Sequence, residues 1–226
     1  MIIGITGSFG SGKTTVANMF RSYGFKVINV DKLYKGIYNK DKSLKNKIKK
    51  EFGTINRNEL KKIVFNNSSK LKKLNNTTHP IIIKEIKKEI STIIKKYNKK
   101  IPIIKIYNNI KLINKKTIMG KNNKKYIEKN NIRNNVKIVI DAPLLIEAKA
   151  ENLVDKLIVV KCSKKEQINR ILKKRKNTKK EINNIIKSQM PLKEKIKHAD
   201  FVVDNSKAIK ETEKQIKAIA DFLQKP

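Results

Sequence analysis

The amino-acid sequence predicts an α/β fold in which five parallel strands alternate with helices. Five apolar runs, each too short for a helix, are separated by segments whose apolar residues recur every three or four positions. A glycine-rich loop joins the first run to a helical pattern, and an aspartate follows each of the next two runs. Strands that alternate with helices are typical of a parallel sheet. The predicted strands are Ile2–Thr6, Phe25–Val30, Val136–Ile140, Leu157–Val160 and Ala199–Asn205.

The loop after the first strand carries the most specific motif. Residues Gly7 to Thr14 fit the pattern G-x-x-x-x-G-K-[ST], the P-loop, and lie between a strand and a helix as that motif requires. Backbone amides and a helix N-terminus there make a site for phosphate oxygens, with Lys13 on the β- and γ-phosphates and the Thr14 hydroxyl on Mg²⁺. The alternative is a glycine-rich turn that binds nothing. The predicted residues for ATP are Gly10, Ser11, Gly12, Lys13, Thr14 and Thr15.

Two aspartates follow predicted strands at the edge of the sheet where ligands bind. In parallel sheets this edge is formed by the carboxyl ends of the strands. Asp31 follows the second strand and is expected near the phosphates; the alternative is an N-cap or turn aspartate of the next helix. Asp141 follows the third strand, where a carboxylate can reach Mg²⁺ directly or through water; the alternative is a cap at the strand end.

Residues 32–98 are predicted to form a helical lobe between the second and third strands. Its first clear helix repeats apolar residues at Leu44, Ile48 and Phe52. Asn56 and Glu59 resemble a capping box that starts the next helix, and His79–Pro80 is predicted to open a further one. Such a lobe can hold a phosphoryl acceptor opposite the nucleotide. Residues 99–135 are rich in Lys, Asn and Ile and are predicted to be an insertion, to which no chemistry is assigned.

Residues 163–190 are predicted to form a lid of two helices. Capping boxes start them at Ser163–Glu166 and Thr178–Glu181, and a basic turn joins them. Closure of the lid would bring Arg170 and Arg175 to the charge in transit; the alternative is a solvated helical hairpin. The last strand ends at Asn205, which either hydrogen-bonds an adenine edge or only turns the chain.

Composition narrows the class of protein. The 226 residues carry a formal charge of +36, which taken alone suggests a nucleic-acid or polyanion partner. The excess is almost all Lys and accompanies Ile and Asn along the whole chain, as a bias toward A/T-rich codons produces. We expect no specific nucleic-acid partner. The single Cys162 is expected to be a buried or strand-end thiol rather than a nucleophile. Together with the absence of a long apolar run or leader segment, it predicts a cytoplasmic protein without a membrane span.

The combination of motifs resembles the dephospho-CoA kinase family over nearly the whole chain except about 99–135, which is longer than the family usually has there. The matching stretches are the P-loop, Val27–Asp31, Phe52–Phe65, His79–Ile81, Asp141–Glu147, Gln167 with Arg170 and Arg175, Gln189–Met190 and Ala199–Ser206. The resemblance implies a five-stranded P-loop kinase core (1–31 and 136–226), a helical acceptor lobe and a helical lid. It also implies that ATP phosphorylates the ribose 3′-hydroxyl of dephospho-CoA.

The resemblance also assigns roles to residues. Asp31 would be the base that orients the 3′-hydroxyl, and Arg57 and His79 match positions of the lobe that binds dephospho-CoA. Arg170 and Arg175 would be lid cations, and Asn205 would lie near adenine. His79 has the alternative of a helix histidine satisfied by backbone. Two other functions stay open: another small-metabolite or nucleoside monophosphate kinase, and a polyanion-binding protein that uses ATP as a switch. A monomer or weak oligomer is expected.

Overall fold

A computed structural model provides the fold and describes residues 1–100, 136–174 and 178–224. Within these residues the strands form one five-stranded sheet in the order β2-β3-β1-β4-β5, and every pair of neighbours is parallel. The predicted fold class is therefore confirmed. The strands are β1 (Ile2–Gly7), β2 (Lys26–Asn29), β3 (Ile138–Asp141), β4 (Lys156–Lys161) and β5 (Phe201–Asp204).

Three of the strands, β2, β3 and β5, are shorter than the apolar runs that predicted them, whereas β1 and β4 are slightly longer. Val30 does not extend β2, because the Asn29 side chain accepts a hydrogen bond from the Lys32 N–H and starts a helix there. Phe25 precedes β2 and packs edge-to-face on Phe20 instead. Cys162 follows the last residue of β4, as expected of a strand-end thiol.

Nine α-helices accompany the sheet in the described part of the chain. The helices that follow β1 and β3 to β5 along the chain are α1 (Lys13–Met19), α6 (Lys164–Lys174), α7 (Lys179–Lys187), α8 (Leu192–Lys197) and α9 (Ile209–Gln224). The helices between β2 and β3 are α2 (Val30–Lys40), α3 (Lys42–Phe52), α4 (Arg57–Phe65) and α5 (Ser68–Lys100). None of the described helices combines the length and apolarity needed to cross a bilayer.

The buried apolar residues form three clusters. Two lie on opposite faces of the sheet, as expected when helices cover both faces of parallel strands. The third lies inside the helical lobe and contains the predicted stripe of Leu44, Ile48 and Phe52. The lobe thus has a core of its own.

The prediction that a helix begins at His79–Pro80 is wrong. Helix α5 runs from Ser68 to Lys100 with Pro80 in its interior. The Asn67 side chain accepts from the Lys70 N–H, so the N-terminal signal lies one residue before Ser68. The Thr77 and Thr78 hydroxyls bond the carbonyls of Lys73 and Leu74, and Pro80 itself is exposed. A proline removes one helical hydrogen bond, and packing of the long helix outweighs that loss here.

Of the two capping boxes predicted between residues 163 and 190, only the second forms completely. At Thr178 both halves of the capping box form with Glu181. At Ser163 the side chain accepts from the Glu166 N–H at 3.3 Å, but the Ser163 N–H donates to Ser206 Oγ. Asn56 likewise caps α4 alone, because Glu59 bonds the Thr54 hydroxyl. At these two helix starts the capping amide or the glutamate therefore has another hydrogen-bond partner.

Candidate active site

The phosphate loop, residues 7–14, joins β1 to α1 at the carboxyl edge of the sheet. Gly10 and Gly12 have φ of 81° and 90°, a region that side chains other than glycine rarely adopt. Gly12 is the N-cap residue of α1, so the first amides of this helix open toward the cleft beside the loop. Such free amides, together with the positive end of the helix, favour phosphate oxygens.

Lys13 is the cation of this site. Its side chain is 9% exposed, and Nζ donates to the Ser8 carbonyl at 2.9 Å. Burial lowers the pKa of Lys13 to about 8, and the negative charge of Asp141 opposes that shift. The ammonium is therefore held close to the loop in an environment that disfavours an unpaired charge. A triphosphate would supply the missing counter-charge.

Asp141 forms the buried acidic point of the site. The Thr14 hydroxyl and the Asn29 amide both donate to its Oδ2 atom, each at 2.7 Å. Burial raises the pKa of Asp141, and these two hydrogen bonds act in the opposite direction. Sequence reasoning missed Asn29, which joins β2, the start of α2 and Asp141. The only feature of the sequence that could have identified Asn29 was its position at the end of a predicted strand, two residues before Asp31.

The Asp141 cluster has the chemistry that Mg²⁺ prefers. The Thr14 hydroxyl, the Asp141 carboxylate and the phosphates of a bound nucleotide are hard oxygen ligands. The described residues contain no group of three or more His, Cys, Asp or Glu side chains that could hold a metal alone. Mg²⁺ is commonly bound through one or two carboxylates plus substrate phosphates, a set that Asp141 and a nucleotide could supply.

Asp31 lies in the first turn of α2 and is exposed. Asn29 is the N-cap of this helix, so the alternative that Asp31 is an N-cap is wrong. Asp31 does lie in the first turn, as the alternative of a turn aspartate expects, and its negative charge there also favours the helix. Asp31 also acts electrostatically on both Lys13 and Asp141, which places it beside the phosphate loop.

A cleft of about 1100 Å³ brings the predicted residues together. Ser11 is buried within the loop, and Arg175 lies outside the described residues. The cleft continues from the phosphate loop to the helical lobe, so its two ends are lined by different parts of the chain. The predicted residues that line it are Gly10, Gly12, Lys13, Thr14, Thr15, Asp31, Arg57, His79, Asp141, Arg170 and Asn205.

An aromatic pair that was not predicted positions Arg57 at the lobe end of the cleft. Its guanidinium carbon lies 5.9 Å from the ring centroid of Tyr34 and 5.6 Å from that of Tyr38. Tyr38 is fixed in turn, since its hydroxyl donates to the Ile55 carbonyl at 2.6 Å. Burial raises the pKa of Tyr34 to about 12. The two rings hold a cation against the cleft wall without neutralising its charge.

His79 on α5 and Arg170 on α6 both line the cleft. His79 is half-buried in the middle of α5, and burial lowers its pKa while Glu147 acts in the opposite direction. Arg170 on α6 has Glu166 one turn earlier, with Nε 3.7 Å from Oε2. This long contact on a partly exposed surface leaves the guanidinium able to turn toward an anion.

Asn205 is buried, and both polar atoms of its side chain are engaged within the protein. Nδ2 donates to the Ser11 carbonyl at 2.8 Å, and Oδ1 accepts from the Thr212 hydroxyl at 3.0 Å. The end of β5 is thereby tied to the phosphate loop. The predicted contact with adenine stays a prediction.

A buried ion pair, also missed from sequence, supports the loop after β3. Lys195 is fully buried, with Nζ 2.8 Å from Glu147 Oε1 and 2.7 Å from the Pro143 carbonyl. Glu147 Oε1 also accepts from the Met190 N–H at 3.0 Å. These contacts fasten the residues after α7 to the segment that follows Asp141. In a chain with this many lysines, no local signal distinguished Lys195.

A phosphate loop on a parallel sheet, facing a helical lobe across one cleft, defines a P-loop kinase fold. A sequence profile of dephospho-CoA kinases matches residues 1–137 and 116–211, two overlapping segments that span most of the chain. The chain belongs to the dephospho-CoA kinase family.

Individual relatives agree with this assignment. The chain is 34% identical to a dephospho-CoA kinase of Carboxydothermus hydrogenoformans, over 96% of this chain and 92% of that protein. It is 32% identical to a dephospho-CoA kinase of Aquifex aeolicus, over 98% and 96%. Among solved structures, a Thermus thermophilus protein matches with a TM-score of 0.68 and 25% identity, covering 100% of this chain and 98% of that one.

Proposed function

We propose that this chain transfers the γ-phosphoryl group of ATP to the 3′-hydroxyl of dephospho-CoA, the last step of coenzyme A synthesis. The observation that carries the proposal is the shared cleft. One end has Lys13 and the phosphate loop, and the other has Arg57 and His79 of the helical lobe. The same cleft is lined by Asp141, the last residue of β3, and by Asp31 in the first turn of α2. Family membership supports the identity of both substrates.

The donor end holds the triphosphate. Loop amides and the N-terminus of α1 bind phosphate oxygens, and Lys13 pairs with the β- and γ-phosphates. Thr14 and Asp141 would hold Mg²⁺, which when bound neutralises charge on the β- and γ-phosphate oxygens. Arg170 approaches from α6 to stabilise charge that spreads over the transferred group. Arg175 would join it, and Asn205 would face the adenine side.

The acceptor end binds dephospho-CoA and activates its hydroxyl. Arg57, held by two aromatic rings, pairs with phosphate groups of the acceptor, and His79 hydrogen-bonds it from α5. Asp31 accepts the proton of the 3′-hydroxyl as the 3′-oxygen bonds to the γ-phosphorus. The bond from that phosphorus to the β–γ bridging oxygen breaks, and ADP leaves with the electron pair.

The architecture supports a division of labour that we also propose. Residues 1–31 and 136–226 form the nucleotide core, 32–98 the acceptor lobe, and 163–190 the lid, with the insertion 99–135 between lobe and core. We propose that the protein acts as a monomer or weak oligomer in the cytoplasm, where the Cys162 thiol stays free. Neither a specific nucleic acid nor a membrane is part of the proposal.

A coupled assay of ADP release with dephospho-CoA and ATP–Mg²⁺ tests the function directly. AMP, CMP and shikimate serve as rival acceptors, and dephospho-CoA is expected to be the preferred one. Lys13→Ala and Asp31→Asn should each abolish transfer, while Asp31→Asn retains ATP binding because Asp31 is not part of the phosphate loop. Turnover of an AMP-type acceptor alone would refute the proposed substrate. Full turnover by Asp31→Asn would remove Asp31 from the mechanism.

A further inference from the structure

Two glutamines of the lid region hold one residue of the phosphate loop by its backbone. Gln167 on α6 is 6% exposed and donates from Nε2 to the Phe9 carbonyl. The Phe9 N–H donates to Oε1 of Gln189, two residues after α7, at 2.8 Å. Both backbone polar groups of Phe9 are therefore bound by side chains from the lid and its base.

Peptide planarity passes the Gln189 contact on to Lys13. In a trans peptide the C=O and N–H groups point in opposite directions. The Phe9 N–H shares its peptide with the Ser8 carbonyl, which accepts from Lys13 Nζ at 2.9 Å and from the Ser11 N–H at 3.1 Å. Gln189 therefore orients the peptide whose other side holds the ammonium group.

The same reasoning links Gln167 to an amide of the loop. The Phe9 carbonyl shares its peptide with the Gly10 N–H, so a pull on the carbonyl toward Gln167 directs this N–H the opposite way. Gly10 lines the cleft, and Ile171, one turn after Gln167, packs so closely on it that an added Cβ would lie 2.6 Å from the isoleucine side chain. One face of α6 thus sets both the position and the orientation of this peptide.

We infer that Gln167 and Gln189 are positioning residues for nucleotide binding. They orient two successive peptides of the phosphate loop before a ligand arrives, and through them the Gly10 N–H and the Lys13 ammonium. A pre-organised loop loses less conformational freedom when it binds phosphates, so the affinity for nucleotide is higher.

The test is the affinity for ADP and ATP, measured by titration calorimetry without an acceptor. Gln167→Ala and Gln189→Ala are each expected to weaken nucleotide binding about tenfold, the factor that one hydrogen bond supplies. The KM for dephospho-CoA should stay within about twofold, because the acceptor lobe keeps its contacts. Gln224→Ala is the control. The Gln224 amide also donates to a backbone carbonyl, that of Ala220, but it does so at the end of α9. The nucleotide affinity of this variant should equal that of the wild type.

A charge-matched pair separates orientation from simple loss of packing. Gln189→Glu keeps an acceptor for the Phe9 N–H, whereas Gln167→Glu turns a carboxylate toward the Phe9 carbonyl. Both variants add one negative charge beside the same residue, so Gln167→Glu is expected to bind ADP several-fold more weakly than Gln189→Glu. Equal losses in this pair would overturn the inference. So would alanine variants that lower only the thermal unfolding midpoint.

The inference rests on the proposed role of ATP as donor, but its test does not depend on the acceptor. If the wild-type protein bound ADP but did not phosphorylate dephospho-CoA, the proposed substrate would fail. The comparison among the glutamine variants would still be decisive.

Discussion

The pKa of Lys13 makes nucleotide affinity depend on pH. Burial lowers this pKa to about 8 in the protein without nucleotide. A triphosphate beside the ammonium favours its charged form and therefore raises the pKa in the complex. Nucleotide thus binds to the protonated form of Lys13, which predominates below the lowered pKa and is lost as the pH rises through it.

The magnitude follows from the fraction of protein that carries the proton. With a pKa of about 8, Lys13 is roughly 90% protonated at pH 7 and roughly 10% protonated at pH 9. If the bound form stays protonated throughout, the apparent Kd for ADP rises about tenfold between these pH values. At pH 8 binding should also take up about half a proton per site, for the same reason.

Titration calorimetry at pH 7, 8 and 9, in buffers with different ionisation enthalpies, measures both quantities. Lys13→Arg is the control, because a guanidinium stays charged over this range and its Kd should not follow the same curve. A wild-type Kd that is flat from pH 7 to pH 9, without proton uptake at pH 8, would show that burial does not perturb Lys13 as described.

Two further predictions concern the lobe and the buried ion pair. Arg57→Ala should raise the KM for dephospho-CoA at least tenfold and leave ADP affinity unchanged. Tyr34→Leu should raise that KM only about threefold, since one cation–π contact contributes about 0.5–1 kcal/mol. An effect of Arg57→Ala on ADP affinity alone would contradict the placement of Arg57 at the acceptor end. Lys195→Ala should lower the free energy of unfolding by about 3 kcal/mol, the lower end for a broken buried pair because Glu147 keeps 17% exposure. Adding Glu147→Gln should recover part of that loss in urea unfolding, and a purely additive double variant would argue against the pair.

Local patterns were sufficient for much of the fold. The phosphate loop, the five strands and the caps at Asn56 and Thr178 depend on residues a few positions apart, so their spacing predicts them. The carboxyl edge of a parallel sheet also places Asp31 and Asp141 beside the loop once the strands are assigned. The family resemblance contributed the acceptor and the roles of Arg57 and His79.

The contacts that shape the site join residues far apart in the sequence. Asn29 meets Asp141 across 112 positions, and Phe9 meets Gln189 across 180. The sequence around Asn29 or Gln189 does not differ in any local pattern from that around the many asparagines and glutamines that face solvent. Pro80 likewise predicts a helix boundary locally, and only packing along α5 keeps it in a helix interior.

The amino-acid sequence by itself therefore determined most of the strand and helix pattern, the phosphate loop and the side chains available for chemistry. The tertiary structure alone decided which side-chain amide orients which peptide, which rings hold Arg57 and that Lys195 is buried. The physical reason is that periodicity and capping act within one or two turns of chain, whereas a hydrogen bond or ion pair needs only proximity in space. Distant residues acquire that proximity when the sheet and its helices pack.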